Sequence, residues 1–182
     1  MIREYFGELP KLTFNHNINS NIRTFFRQER DWTCSIACLR SLLSSLDIFV
    51  PTEEDFIESE KLVPGPHYAK DITKWSYLLG YDVKSSIDHS ILDKDPVHEL
   101  CELMIEGYSV MIDTMLNYDH WVVVVGIYPN ENIVKSQISI YDPYYNKVRL
   151  FSLEEFVSMW SSGEHSVNGV VYDYIAIKKK VK

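Results

Sequence analysis

Leucines at 39, 42, 43 and 46 fall at i, i+3, i+4 and i+7. That spacing predicts an amphipathic helix from Ser35 to Leu46 with one apolar face. Thr52 followed by Glu53, Glu54 and Asp55 predicts a capped acidic helix reaching Glu58. Val63-Pro64-Gly65-Pro66 reads as a loop, and a helix from about Lys70 to Leu79 is stopped by Gly80. Tyr81 to Ser86 alternates as a strand. Asp95-Pro96 supplies an N-cap and a proline at the first helical position of a helix that runs to Glu106 and stops at Gly107. Tyr108 to Thr114 and the β-branched run Trp121 to Ile127 read as strands, the second buried on both faces. Gln137 to Tyr141 and Lys147 to Phe151 flank Asp142-Pro143-Tyr144-Tyr145-Asn146 as two arms of a hairpin. Ser152-x-x-Glu155 is a capping box for a helix reaching Trp160, and Val170 to Lys178 reads as a last strand.

Helices come first and neighbouring strands later. That order predicts an α+β fold, with N-terminal helices packed on an antiparallel sheet. Residues 1–27, rich in turn chemistry around Asn15-His16-Asn17, are expected to wrap the domain as an arm. With 182 residues the chain is expected to form one domain over 1–182.

Composition narrows the functional classes. The chain is 46% hydrophobic and 24% charged, as ordinary globular proteins are. Its net charge of −8 argues against a broad nucleic-acid surface. Lys178, Lys179, Lys180 and Lys182 form a basic tail, leaving −12 on the rest, and the tail is read as a solvated end. No apolar segment of signal-peptide length opens the chain, and none approaches the ~20 residues of a membrane span. Three cysteines are an odd number and suit a reducing compartment, so a cytoplasmic location is expected. No Cys/His spacing resembles a zinc site, and no cofactor or metal is expected.

The candidate chemistry centres on Cys34, at the predicted start of the first helix. The reactive form of a thiol nucleophile is the thiolate, which a helix N-terminus and an imidazolium partner both favour. His120 heads the run Trp121-Val122-Val123-Val124-Val125 and could be that partner, held on a rigid strand. Asp142, at a strand end, could accept from the other ring nitrogen and fix the tautomer. Acyl transfer also needs oxyanion donors. The Cys34 backbone N–H is one, and the Gln28 side-chain amide, brought back by the turn Glu29 to Thr33, is the second. Cys38, one turn below Cys34, and Cys101, in mid-helix, read as packing. Asp113 and Asp119 are rivals to Asp142. Asp119 adjoins His120 and should point to the opposite face, whereas Asp113 could reach only from a neighbouring strand. His16, His67, His89, His98 and His165 lack a comparable context.

The set Gln28, Cys34, Cys38, His120 with its aromatic-plus-valine strand, and Asp142-Pro143 resembles the papain-like cysteine peptidase superfamily. Within it the motifs are most similar to the bacteriocin-processing branch that removes double-glycine leaders. The resemblance spans roughly residues 22–160, carried by about four short motifs that include Ile105 to Ile112. It implies a Cys34 nucleophile, a His120 general base, an orienting Asp142, a Gln28 oxyanion donor and a structural Cys38. The expected activity is that of a cysteine peptidase or related acyl-transfer hydrolase acting on a peptide or protein. The family usually has Asp-Cys-Gly at the nucleophile, whereas this chain has Thr33-Cys34-Ser35. The branch often precedes an ATP-driven exporter, which this sequence lacks, so the leader-peptide substrate is not carried over.

Two other readings share the scaffold. One is a catalytically silent papain-like binding module. The other is a guanylyl cyclase-like domain, because Trp32 is similar to a residue of that family. No phosphate loop or paired metal-binding carboxylates accompany Trp32.

Overall fold

The computed structural model describes residues 17–78, 81–87, 96–116, 119–132, 135–161 and 172–180. Most of the predicted arm, Leu79-Gly80, Asp95, His16, His89, His165, Tyr118, residues 170–171 and the end of the basic tail lie outside them.

Five helices and seven strands form the described fold. In chain order they are β1 (Ile18–Asn19), α1 (Cys34–Leu43), α2 (Glu53–Glu60), α3 (Ala69–Leu78), β2 (Asp82–Ser85), α4 (Pro96–Ile105), β3 (Ser109–Thr114), β4 (His120–Tyr128), β5 (Gln137–Asp142), β6 (Lys147–Ser152), α5 (Leu153–Ser161) and β7 (Tyr174–Lys178). A short 3-10 turn over Ser44–Leu46 tightens the end of α1, and Asp47 leaves it in the left-handed region.

Local chemistry explains the boundaries. Thr52 and Asp55 close a reciprocal capping box on α2. Ser152 and Glu155 do the same on α5, with Glu155 accepting from the Ser152 backbone N–H at 2.9 Å. Gly107, at φ 88°, takes the left-handed step that ends α4. The last strand starts later than its sequence pattern suggests. Tyr172 sits at φ 71°, so the extended run begins at Tyr174.

The sheet is antiparallel throughout, in the order β2-β7-β3-β4-β5-β6, with β1 paired to β4. Alternation along the central strands feeds two cores. Val122, Val124, Ile112 and Ile140 join Leu100, Leu103, Phe156 and Trp160 on the α4/α5 side. Trp121, Val123, Met111 and Ile175 join Ile36, Leu39, Leu42, Ile72 and Trp75 on the α1/α3 side. The sheet therefore carries helices on both faces. The N-terminal helices cover one face as expected, and α4 and α5 fill the other. β1 approaches β4 so closely at Gly126 that a Cβ there would lie 3.0 Å from Asn19 Oδ1 and 2.8 Å from Tyr128 Oη.

Candidate active site

Cys34 is the first residue of α1. No side chain caps that helix, so the positive end of its dipole is left uncompensated at the end that carries the thiol. The preceding turn is held from several sides. The Arg30 carbonyl accepts from the Gln28 side-chain amide at 2.9 Å, from the Thr33 hydroxyl at 2.9 Å and from the Thr33 backbone N–H at 3.2 Å. The Gln28 backbone N–H donates to the Pro143 carbonyl at 3.2 Å, tying this turn to the hairpin that carries Asp142. The Glu29 backbone N–H donates to the carboxylate of Glu53, a fully buried residue. Burial pushes the Glu53 carboxyl up, against its hydrogen bonds from Thr33 and Glu29.

His120 opens β4. Its Nε2 lies 3.0 Å from Asp142 Oδ1, and the Cys34 thiol lies near enough to act on the ring's charge. With Nε2 on Asp142, Nδ1 is the nitrogen left for sulfur. Burial alone would lower the His120 pKa. The hydrogen bonds and charges of Asp142 and Cys34 outweigh it and raise the pKa to about 9.

Asp142 is fully buried at the end of β5. Its Oδ1 also accepts the backbone N–H of Tyr144 at 3.0 Å and, more weakly, of Tyr145 at 3.4 Å. The Arg149 guanidinium lies 3.5 Å from Oδ2. Burial pushes the carboxyl up, and His120 foremost, with the Tyr145 and Tyr144 N–H groups, reverses the shift and holds it below its ordinary value. The hairpin turns through Asn146, whose left-handed conformation (φ 51°) suits asparagine, and Asn146 Oδ1 accepts the Tyr141 hydroxyl at 2.8 Å.

A cleft of about 480 Å³ opens over the thiol. Gln28, Cys34 and His120 line it together with Trp32, Trp121, Tyr144 and Tyr145. The four residues singled out by sequence thus meet at one place, with Asp142 behind the imidazole. The Gln28 amide has one N–H on the Arg30 carbonyl, and its buried Oε1 has no hydrogen-bond partner. Cys38 is fully buried, donates to the Trp121 carbonyl at 3.2 Å and has its thiol pKa pushed up by burial. Cys101 is fully buried as well.

Asp113 and Asp119 line the cleft, and neither holds the imidazole. Asp113 pairs with Trp121 across β3 and β4 and takes that residue's face of the sheet. Tyr141 pairs with Val123, so Asp142 shares the face of Val122 and, two residues on, of His120. Asp113 Oδ1 is buried with no hydrogen-bond partner among the described residues. Burial, with the nearby charges of Asp119 and Asp173, lifts its carboxyl to about 7.

His67 is a residue that sequence patterning passes over. It lies in the cleft wall, with Nδ1 2.9 Å from the Ser35 hydroxyl. Its loop has no periodicity to place it, and the one signal available was the serine at 35.

No protein-family model and no curated protein matches the sequence. Among solved structures, the fold is similar to the crystal structure of UfSP from C. elegans, a cysteine protease of the papain-like fold. The match has a TM-score of 0.60 at 11% sequence identity and covers 99% of this chain. The chain spans 37% of that UfSP chain. An antiparallel sheet with the Cys34 helix packed across it, superposable over nearly its whole length on that neighbour, has the α+β papain-like fold.

Proposed function

We propose that the protein is a cysteine peptidase or a related acyl-transfer hydrolase, with Cys34 as nucleophile. The observation that carries the proposal is the His120 ring, hydrogen-bonded to the Asp142 carboxylate at 3.0 Å and lining one cleft with Cys34. Asp142 holds the ring orientation and stabilises an imidazolium, and the imidazolium stabilises the thiolate. In the reaction the thiolate attacks a peptide or amide carbonyl. His120 gives its proton to the leaving amine, and water then hydrolyses the thioester. The Cys34 backbone N–H and the second N–H of the Gln28 amide are the proposed oxyanion donors, and both residues line the cleft.

The substrate is a peptide or protein, and the acidic cleft side chains Asp31 and Asp119 favour a basic or unstructured one. The fold likeness to UfSP supports protease chemistry. The double-glycine leader branch rests on short sequence motifs alone, and the comparison with UfSP does not extend to it. A reducing compartment, such as the cytoplasm, suits a reactive thiol. No helix among the described residues is long and apolar enough to cross a membrane. A silent binding module on this fold would leave a biological phenotype intact in Cys34→Ser. A guanylyl cyclase-like reading is disfavoured by the same acidic cleft, which repels a polyphosphate.

The test is competitive alkylation. Iodoacetamide at neutral pH should label Cys34 ahead of the buried Cys38 and Cys101. His120→Ala should slow labelling of Cys34 by about tenfold or more. Equal labelling of all three cysteines, or no effect of His120→Ala, would overturn the proposal.

A further inference from the structure

Ser35 follows the thiol directly, and its side chain is committed. It is 1% exposed, and its hydroxyl meets His67 Nδ1 at 2.9 Å. His67 lies in the segment between α2 and α3 that gives Gly65, Pro66, His67 and Tyr68 to the cleft wall. That segment has no helix or strand of its own, so tertiary ties must hold its position.

Most of those ties run through His67. Its ring sits edge-on to Trp32 at 5.5 Å and to Trp75 of α3 at 5.2 Å. Its carbonyl accepts the Trp121 indole N–H at 2.9 Å. Burial lowers its pKa, which keeps the imidazole neutral and able to accept from the Ser35 hydroxyl. One residue therefore links the wall to α1 immediately after Cys34 and to β4 immediately after His120. A glycine at 35 could not make the first link.

We propose that Ser35 and His67 form a latch that fixes this wall beside the thiol and so limits the bulk of the group that reaches Cys34. The latch rests on the reading of Cys34 as the nucleophile of the cleft. Ser35 and His67 are positioning residues, acting through the wall and not on the reacting atoms. Without the hydroxyl–imidazole bond the segment is held less tightly, and bulky groups gain access.

The test compares two reagents with one warhead, iodoacetamide and an N-benzyl iodoacetamide. Both rates are read by mass spectrometry on the Cys34 peptide. Their ratio cancels any change in intrinsic thiol reactivity. Ser35→Ala and His67→Ala should each raise the bulky-to-small ratio about fivefold, the scale of one hydrogen bond's net contribution. The double variant should match His67→Ala, because the bond that Ser35→Ala removes is already gone there. His67→Asn, with a polar atom near the Nδ1 position, should bring the ratio back toward the parent. Ser35→Gly serves as the second variant if His67→Ala loses its thermal unfolding transition. An unchanged ratio in the single variants, additive effects in the double, or no rescue by His67→Asn would each overturn the latch. If the parent's Cys34 proves no more reactive than an ordinary thiol, the peptidase reading fails separately, since the ratio remains measurable.

Discussion

At the residue scale, the proposed chemistry rests on His120 keeping its proton. Its pKa of about 9 sits above the ordinary imidazole value because Asp142 and Cys34 together outweigh burial. A raised folded-state pKa has a definite sign. The stabilisation from this pairing is fully present below about 6.5 and is lost as pH climbs through about 9. Turnover that needs the imidazolium should follow the same limb. The pH profile of kcat/KM on a peptide substrate should therefore fall on the alkaline side with an apparent pKa near 9. A rate still rising at pH ~10 would exclude an imidazolium as the working form. The rivalry between Asp113 and Asp142 also belongs here. Sequence left it open because both strands flank β4. Pleat parity decides it, since only Asp142 shares the His120 face.

At the element scale, α1 does two jobs. Its N-terminus presents Cys34, and its Leu39, Leu42 and Leu43 are fully buried against the sheet. The helix axis is thus fixed by its apolar stripe, and the thiol is placed by packing far from it. Leu39→Ala should cost about 2–5 kcal/mol in denaturant unfolding, from lost transfer energy and the cavity left behind. A loss under ~0.5 kcal/mol, the range of surface substitutions, would mean that the stripe is not what seats α1. The helices and their caps were legible in the sequence because their signals are local. Thr52 with Asp55, Ser152 with Glu155 and the leucine stripe each lie within a few residues. The order of the sheet was not legible. β7 inserts between β2 and β3, and that long-range pairing leaves no local mark. The late start of β7 turns on a left-handed Tyr172, which nothing in the run of β-formers announces. The burial of both sheet faces could be read from the valine run of β4, whereas the helices covering the second face could not.

At the scale of the whole molecule, three distant stretches converge on one cleft. The turn before α1, the start of β4 and the hairpin after β5 are separated by more than a hundred residues end to end. They are cross-tied by Gln28 to Pro143 and by His120 to Asp142, and the wall segment between α2 and α3 joins them through His67 and Ser35. The candidate residues were legible because their types and order matched a thiol-enzyme set. The wall beside them was not, since the role of Ser35 exists only once His67 is brought to it. The proposed function requires a covalent acyl-enzyme at Cys34. It can be caught by mixing the protein with a p-nitrophenyl ester of a short acylated peptide, followed by acid quench and mass spectrometry. A burst of one equivalent of p-nitrophenol with a thioester on Cys34 is expected, abolished in Cys34→Ala and strongly slowed in His120→Ala. No adduct on Cys34, or one that forms as fast without His120, would contradict it.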